Sequence, residues 1–332
     1  MPLSLDPQLA AAAGDALAGV RMGASQAHLV PLETRRKQSS DLIKGALATL
    51  GRFDDIVETV HDLELRDGAT IKLLELTKRG TEGEAKGEAR GHGQGRPAIL
   101  QLHGGGFVTL DAFDTKAAIM PIVEQTGISA FMVDYRLAPE HNGTSLVDDC
   151  YDGLLWLHAH ADALGIDRAR IAVSGESAGG GLALGVALKA RDENLSPPLA
   201  KIIVVYPMID DRNTKPNPQL DDLANWKIAS NVQAWNALLG EGHESRHDVS
   251  PHAAPARAAS YAGLPEMYLE TGNLDIFVHE DLELARRMIH ENIQVELHVL
   301  PGFPHVWELF GGDKTDVGKL ALQSRLRAYT TF

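Results

Sequence analysis

Gly175-Glu176-Ser177-Ala178-Gly179 follows the apolar run 170–173 and opens a Gly-, Ala- and Leu-rich segment that continues to about residue 190. Strand, tight turn and helix in that order form the setting in which a serine stands exposed at the carboxyl end of a parallel sheet. Glycines two before and two after Ser177 allow strand and helix to approach without a Cβ clash, and the turn itself is one that holds strained backbone. A packing turn or a phosphate loop would also use glycines. No lysine follows these directly, however, and Gly179-Gly180-Gly181 does not spell G-x-G-x-x-G. Ser177 is therefore read as a nucleophile.

Upstream, His103-Gly104-Gly105-Gly106-Phe107 follows the apolar run 98–102. Glycines at a strand end leave backbone N–H groups free to converge on one point, which is how an oxyanion hole is built. Gly104 and Gly105 are the donors expected, joined by the N–H of Ala178. His103 precedes the glycines and suits a structural role in holding the loop.

Downstream, the order of parts in such folds is serine, then acid, then histidine, each past a strand end. Asp275 lies just beyond the apolar run 266–270 and is the acid expected. Glu280 and Asp281 are rivals that belong to the following helix and are expected to be solvated. Among the late histidines, His279 opens that helix, His290 sits within it and His298 lies inside a strand. His305, in Pro301-Gly302-Phe303-Pro304-His305, is the loop histidine that remains. His158 and His160 lie two apart on a helical run, about 200° round the axis, and cannot share one metal ion. His243, His247 and His252 have no cysteine or carboxylate cage beside them, so no metal is expected.

The pattern around these residues is regular. Short apolar runs at 98–102, 129–133, 170–173, 201–206, 266–270 and 294–300 alternate with helical stretches, the signature of a mostly parallel sheet flanked by helices. Two β-rich runs between residues 56 and 76 flank Arg66-Asp67-Gly68 and predict an antiparallel hairpin. Residues 1–50 read as helices: Leu9, Ala13, Leu17 and Val20 recur at helical spacing, and Ser40-Asp41 is a cap for a second helix. Residues 78–97, crowded with Gly, Glu, Lys and Arg, read as an exposed, mobile loop. The stretch 208–257 breaks the rhythm, with a helix-like segment near Trp226 and Trp235, and lies where an insertion would cover the sheet's carboxyl edge. The organisation expected is thus a catalytic core of 51–207 and 258–332, with cap segments at 1–50 and 208–257.

With 332 residues, 44% hydrophobic and 23% charged, the chain can bury a full core. A net charge of −14 with no long basic run argues against nucleic acid, anionic lipid and polyanionic substrates. The single cysteine, Cys150, requires no oxidising compartment. The N-terminus lacks a basic n-region, Gly14 and Asp15 interrupt its Ala-rich stretch, and no run of 18 apolar residues occurs elsewhere, so a cytoplasmic location away from membranes is the expectation.

Taken together, His103-Gly-Gly-Gly106-Phe107, Asp134-Tyr-Arg-Leu-Ala-Pro-Glu140, Gly175-Glu-Ser-Ala-Gly-Gly180, Ser250-Pro251, Gly263-Leu-Pro265, Leu274-Asp-Ile-Phe277 and Pro301-Gly-Phe-Pro-His305 resemble the hormone-sensitive-lipase-like carboxylesterases of the α/β-hydrolase superfamily. The resemblance runs from about residue 50 onward. It implies an α/β-hydrolase fold, a Ser177-Asp275-His305 triad, ester hydrolysis through an acyl-serine, a helical cap and no cofactor. The sequence departs from the family at Glu176, at His141-Asn-Gly-Thr-Ser145 and at Val306-Trp307, none of which is a triad position. The segment Asp134–Glu140 is expected to fix loops under the site through its Arg and Glu. Phe107, Trp226, Trp235, Trp307 and Phe310 are expected to narrow the acyl pocket, favouring short acyl chains. The partner expected is a small-molecule ester, and homodimerisation is left open. A catalytically silent ligand receptor on this fold would lose the histidine, and His305 is present. A nicotinamide oxidoreductase would need G-x-G-x-x-G after its first strand, which is not found.

Overall fold

In a computed structural model of the chain, residues 3–80, 95–220 and 222–332 are described. Their strands form one sheet in the order β1-β2-β4-β3-β5-β6-β7-β8. These are β1 (Ile56–Glu64), β2 (Thr70–Lys78), β3 (Arg96–Leu102), β4 (Ser129–Asp134), β5 (Ile166–Glu176), β6 (Lys201–Val205), β7 (Glu266–Gly272) and β8 (Val295–Leu300). The hairpin expected around Asp67-Gly68 is β1-β2, antiparallel, with Gly68 at φ 87° in the turn. β2 also pairs antiparallel with β4, and every later pairing is parallel. Of the loop expected over 78–97, Lys78 ends β2 and Arg96 begins β3, while 81–94 lie outside the described residues.

Alternation along the strands feeds two cores. Leu73, Ala98, Leu100, Leu102 and Val173 face one layer, built with α5 (Ser145–Leu164), α6 (Ala178–Asp192) and α8 (Val278–His290). Leu74, Leu76, Ile99 and Ala172 face the other, against α3 (Ala112–Thr115), α4 (Met120–Thr126) and the end of α9 (Asp316–Ala328). Side chains with a period of two, buried on both faces, are what a sheet covered on both sides requires.

The N-terminal pair is α1 (Pro7–Gln26) and α2 (Leu32–Leu47). Leu9, Ala13 and Leu17 are the buried face of α1, and a break at Gly14 (φ 50°, ψ −136°) falls within it. Ser40 and Asp41 do not begin the second helix as expected: it starts at Leu32 behind Pro31, and both residues lie in its middle. Their side chains serve contacts instead, Ser40 donating to Asp114 at 2.9 Å and Asp41 pairing with Lys37. Between β6 and β7 the stretch expected as an insertion carries α7 (Ile228–Leu239). Its ends are anchored by Asp211, which is fully buried and receives both Arg257 and His243.

The parallel register decides what lies beside what. Leu102 pairs with Gly175, so the glycine loop after β3 emerges next to the serine turn after β5. Gly272 pairs with Leu300, so the loops carrying Asp275 and His305 emerge together two strands away.

Candidate active site

Ser177 sits at φ 56°, ψ −123°, immediately before α6. A non-glycine residue with positive φ is uncommon and needs to be held. Here the Ser177 N–H donates to Val205 at 3.0 Å, and its carbonyl accepts from Gly181 at 3.1 Å and Met208 at 2.9 Å. The flanking glycines are required by contact. A Cβ on Gly175 would stand 2.2 Å from the Gly179 carbonyl oxygen, and one on Gly179 would stand 2.1 Å from that of Leu102.

Its hydroxyl meets the imidazole of His305, with Oγ 2.9 Å from Nε2. On the far side Nδ1 donates to Oδ2 of Asp275 at 2.5 Å. Asp275 Oδ1 accepts the Phe277 N–H at 3.1 Å, which fixes the carboxylate. Exposure falls along this line, from 8% at Ser177 to 5% at His305 and 0% at Asp275, so the hydroxyl is the end open to a substrate. The imidazole is clamped by two ring edges, Tyr206 at 4.5 Å and Phe277 at 5.2 Å between centroids.

The glycine loop turns on Gly105, at φ 116°, where a Cβ would stand 2.0 Å from the Thr109 carbonyl oxygen. The loop's own hydrogen bonds use the Gly105 carbonyl, which accepts from the N–H groups of Val108 and Thr109 and from the Thr109 hydroxyl. Among the described residues the N–H groups of Gly104 and Gly105 have no backbone acceptor, and a Cβ on Gly104 would be 3.4 Å from the Ser177 Cβ. Ala178 supplies a third N–H at the first turn of α6.

His103 is buried away from this line. Its Nδ1 donates to the Gly104 carbonyl at 2.8 Å, and its ring stacks on Tyr135 at 4.1 Å, whose hydroxyl donates to the His103 carbonyl. Burial pushes the imidazole down to about 4, so it stays neutral as a brace of the loop. Arg136 and Glu140 likewise tie the 134–140 segment to neighbouring helices. Arg136 makes a two-point contact with buried Asp149, and Glu140 pairs with Arg36 of α2. Glu176, beside the nucleophile, accepts from Gln101 Nε2 through both oxygens, and burial pushes its carboxyl up to about 7.

Two expectations need correction. Glu280 and Asp281 are buried, not solvated. Glu280 accepts from the N–H groups of Ile209 and Asp210 and from Asn213, fixing the start of the 208–257 stretch. Trp307 and Phe310 do not narrow a cleft but belong to the core under α1, with Leu9, Leu17 and Phe303. Trp307 is fully buried, 5.3 Å from the Phe303 ring and below the Arg325 guanidinium. The other three aromatics gather on the glycine loop. Phe107 packs on buried Trp235 at 5.0 Å, and half-buried Trp226 lies over Gly106, where a Cβ would come within 2.8 Å of its ring.

Some of the neighbourhood had no signal in the sequence. Tyr206 ends a strand run and was readable only as core. Asn225, in a polar stretch of the insertion, donates to the His305 carbonyl at 2.9 Å. Among the described residues no cluster of three His, Cys, Asp or Glu side chains is arranged to hold a metal ion.

A family described as having the alpha/beta hydrolase fold matches residues 99–309. An ethyl acetate hydrolase of Pseudomonas putida is 29% identical, over 98% of this chain and 100% of that protein. The carboxylesterase NlhH of Mycobacterium tuberculosis is 30% identical, over 70% of this chain and 75% of its own length. Among solved structures, a bacterial heroin esterase superposes with a TM-score of 0.82 at 33% identity, over 98% of this chain and 97% of that one.

Proposed function

The chain belongs to the hormone-sensitive-lipase-like esterases of the α/β-hydrolase family and is a carboxylic ester hydrolase, and on that premise we propose that it cleaves short-chain esters through an acyl-serine on Ser177. The observation that carries this reading is the unbroken line Ser177 Oγ, His305, Asp275, at 2.9 and 2.5 Å. Nε2 of His305 accepts the hydroxyl proton as Oγ bonds to the ester carbonyl carbon, and Asp275 holds the tautomer and stabilises the imidazolium. The carbonyl oxygen becomes an anion beside the N–H groups of Gly104, Gly105 and Ala178, where one donor typically contributes about 3 kcal/mol. Collapse of this intermediate breaks the bond to the leaving alkoxide, which takes the proton from His305. Water then gives a proton to His305 as it attacks the acyl carbon, and His305 returns that proton to Ser177 Oγ as the acyl–Oγ bond breaks, releasing the acid and the free serine.

In the same reading, 1–50 and 208–257 form a cap over the carboxyl edge, and Phe107, Trp226 and Trp235 bound the acyl side. The small acyl group of ethyl acetate, for which the Pseudomonas relative is named, agrees with a short pocket. The direct test is turnover of p-nitrophenyl butyrate by Ser177→Ala. The variant should be folded by circular dichroism and reduced by more than about a thousandfold, since losing a triad member removes the covalent route. A folded variant keeping a tenth of the activity would take Ser177 out of the mechanism.

A further inference from the structure

The loop that carries His305 is pinned along its length. Gly302 donates to the Asn273 side chain at 2.6 Å and accepts from the Asp6 N–H at 3.0 Å, and the Phe303 carbonyl accepts from Leu274 at 3.0 Å. At His305 the fastening changes. Its carbonyl accepts from Nδ2 of Asn225, a buried residue of the 208–257 stretch, whose own Oδ1 faces Nε of Arg21 from α1 at 3.4 Å. The next residue, Val306, sits at φ 47°, ψ 42°. A β-branched side chain in the left-handed region is a genuine outlier, and such a conformation persists only where neighbours over-determine it.

We propose that Asn225 is a positioning residue for His305, its hydrogen bond to the His305 carbonyl holding the strained Val306 linkage that aims the imidazole at Ser177. The inference rests on the triad reading above. The peptide between His305 and Val306 has two ends: the carbonyl fixed by Asn225 and the φ of Val306. Without the donor, Val306 relaxes toward extended backbone, the carbonyl swings, and the Cα–Cβ direction of His305 turns with it. The imidazole then loses its alignment on Oγ, at 2.9 Å in the intact site. A misplacement of about 1 Å is enough to cost on the order of a hundredfold in rate. Because Asn225 lies in the insertion and is backed by Arg21, both cap segments thereby act on the base.

The test is a double-mutant cycle. Asn225→Ala should lower kcat by roughly ten- to a hundredfold with KM within about twofold, and slow inactivation by diethyl p-nitrophenyl phosphate in parallel, because that reagent reports the activated serine. Val306→Gly, in which glycine adopts this conformation without strain, supplies the second background, with its own kcat as the baseline of that arm. In the Val306→Gly background the Asn225→Ala loss should shrink to within about threefold, an interaction of the kind such cycles isolate. Asn225→Leu, which keeps bulk but has no donor, repeats the arm should the alanine variant fold poorly. Wild-type kcat in both Asn225 variants, a loss confined to KM, or an equal loss in both Val306 backgrounds would overturn the proposal. Ser177→Ala and His305→Ala, run alongside, separate the two readings. If they are inactive while the Asn225 variants are unaffected, only this inference fails; if they are active, the triad itself fails.

Discussion

Asp275 and Asp281 are both fully buried carboxyls six positions apart, and they face opposite fates. Asp275 accepts from His305 and from the Phe277 N–H. Asp275→Asn should lower kcat by about ten-thousandfold by presenting the wrong tautomer of His305 to the serine. Asp281 lies beside Glu280, and burial pushes its carboxyl well above the ordinary range. Its folded form therefore keeps a proton that the unfolded chain releases from about pH 4, so this group subtracts stability as pH rises from there toward its folded value. Asp281→Asn should match wild type in urea unfolding at pH 4 and exceed it in stability at pH 7, with turnover unchanged. An activity loss like that of Asp275→Asn would mean the two carboxyls share the site. At this scale the meeting of Ser177, His305 and Asp275 was legible because strand-end loops and chain order are local features. The burial of Asp281 was not, since helical phase does not show which charged residue faces inward.

Elements bring together groups that the sequence keeps apart. Arg325 of α9 reaches Glu270 of β7 at 2.6 Å and Glu308, in the 3-10 turn Trp307–Phe310, at 2.7 Å. Glu270 also accepts from the Tyr268 hydroxyl, and Glu308 from that of Tyr206, whose ring lies against His305. Removing one partner of a buried pair leaves an uncompensated charge, so Arg325→Met should cost about 3–5 kcal/mol in urea unfolding with the m-value unchanged. Adding Glu270→Gln should return part of that loss, because the stranded charge is gone; a double variant as unstable as the sum of its singles would show that packing, not charge, holds α9. The hairpin β1-β2 was legible from Asp67-Gly68 and alternation alone. The start of α2 was not: Ser40 and Asp41 have cap chemistry, but Ser40 turns to Asp114 and Asp41 to Lys37 one turn back in the same helix. Trp307 shows the same limit from the apolar side, since nearness to a catalytic loop in sequence does not distinguish cleft from core.

Across the whole molecule, two properties bear on which esters can reach Ser177. The chain carries a net charge of −14, which opposes adsorption to anionic lipid, and among the described residues no helix is long and apolar enough to cross a membrane. The glycine loop, for its part, is backed by rigid rings, with Phe107 on Trp235 and Trp226 over Gly106. Each methylene that fits an apolar pocket contributes about 0.8 kcal/mol, while one that meets an aromatic wall gains nothing and strains the packing. Rates on p-nitrophenyl esters should therefore rise from acetate and fall beyond about eight carbons, with no jump where a substrate passes its solubility limit. Trp235→Ala, which opens the wall behind Phe107, should move the maximum to longer chains and destabilise the fold by about 3–5 kcal/mol. Equal rates on palmitate and butyrate, or a sharp rise at the lipid interface, would mean that the rings yield to long chains and that the cap opens on contact with lipid. An unmoved maximum in Trp235→Ala would place the acyl wall elsewhere than behind Phe107.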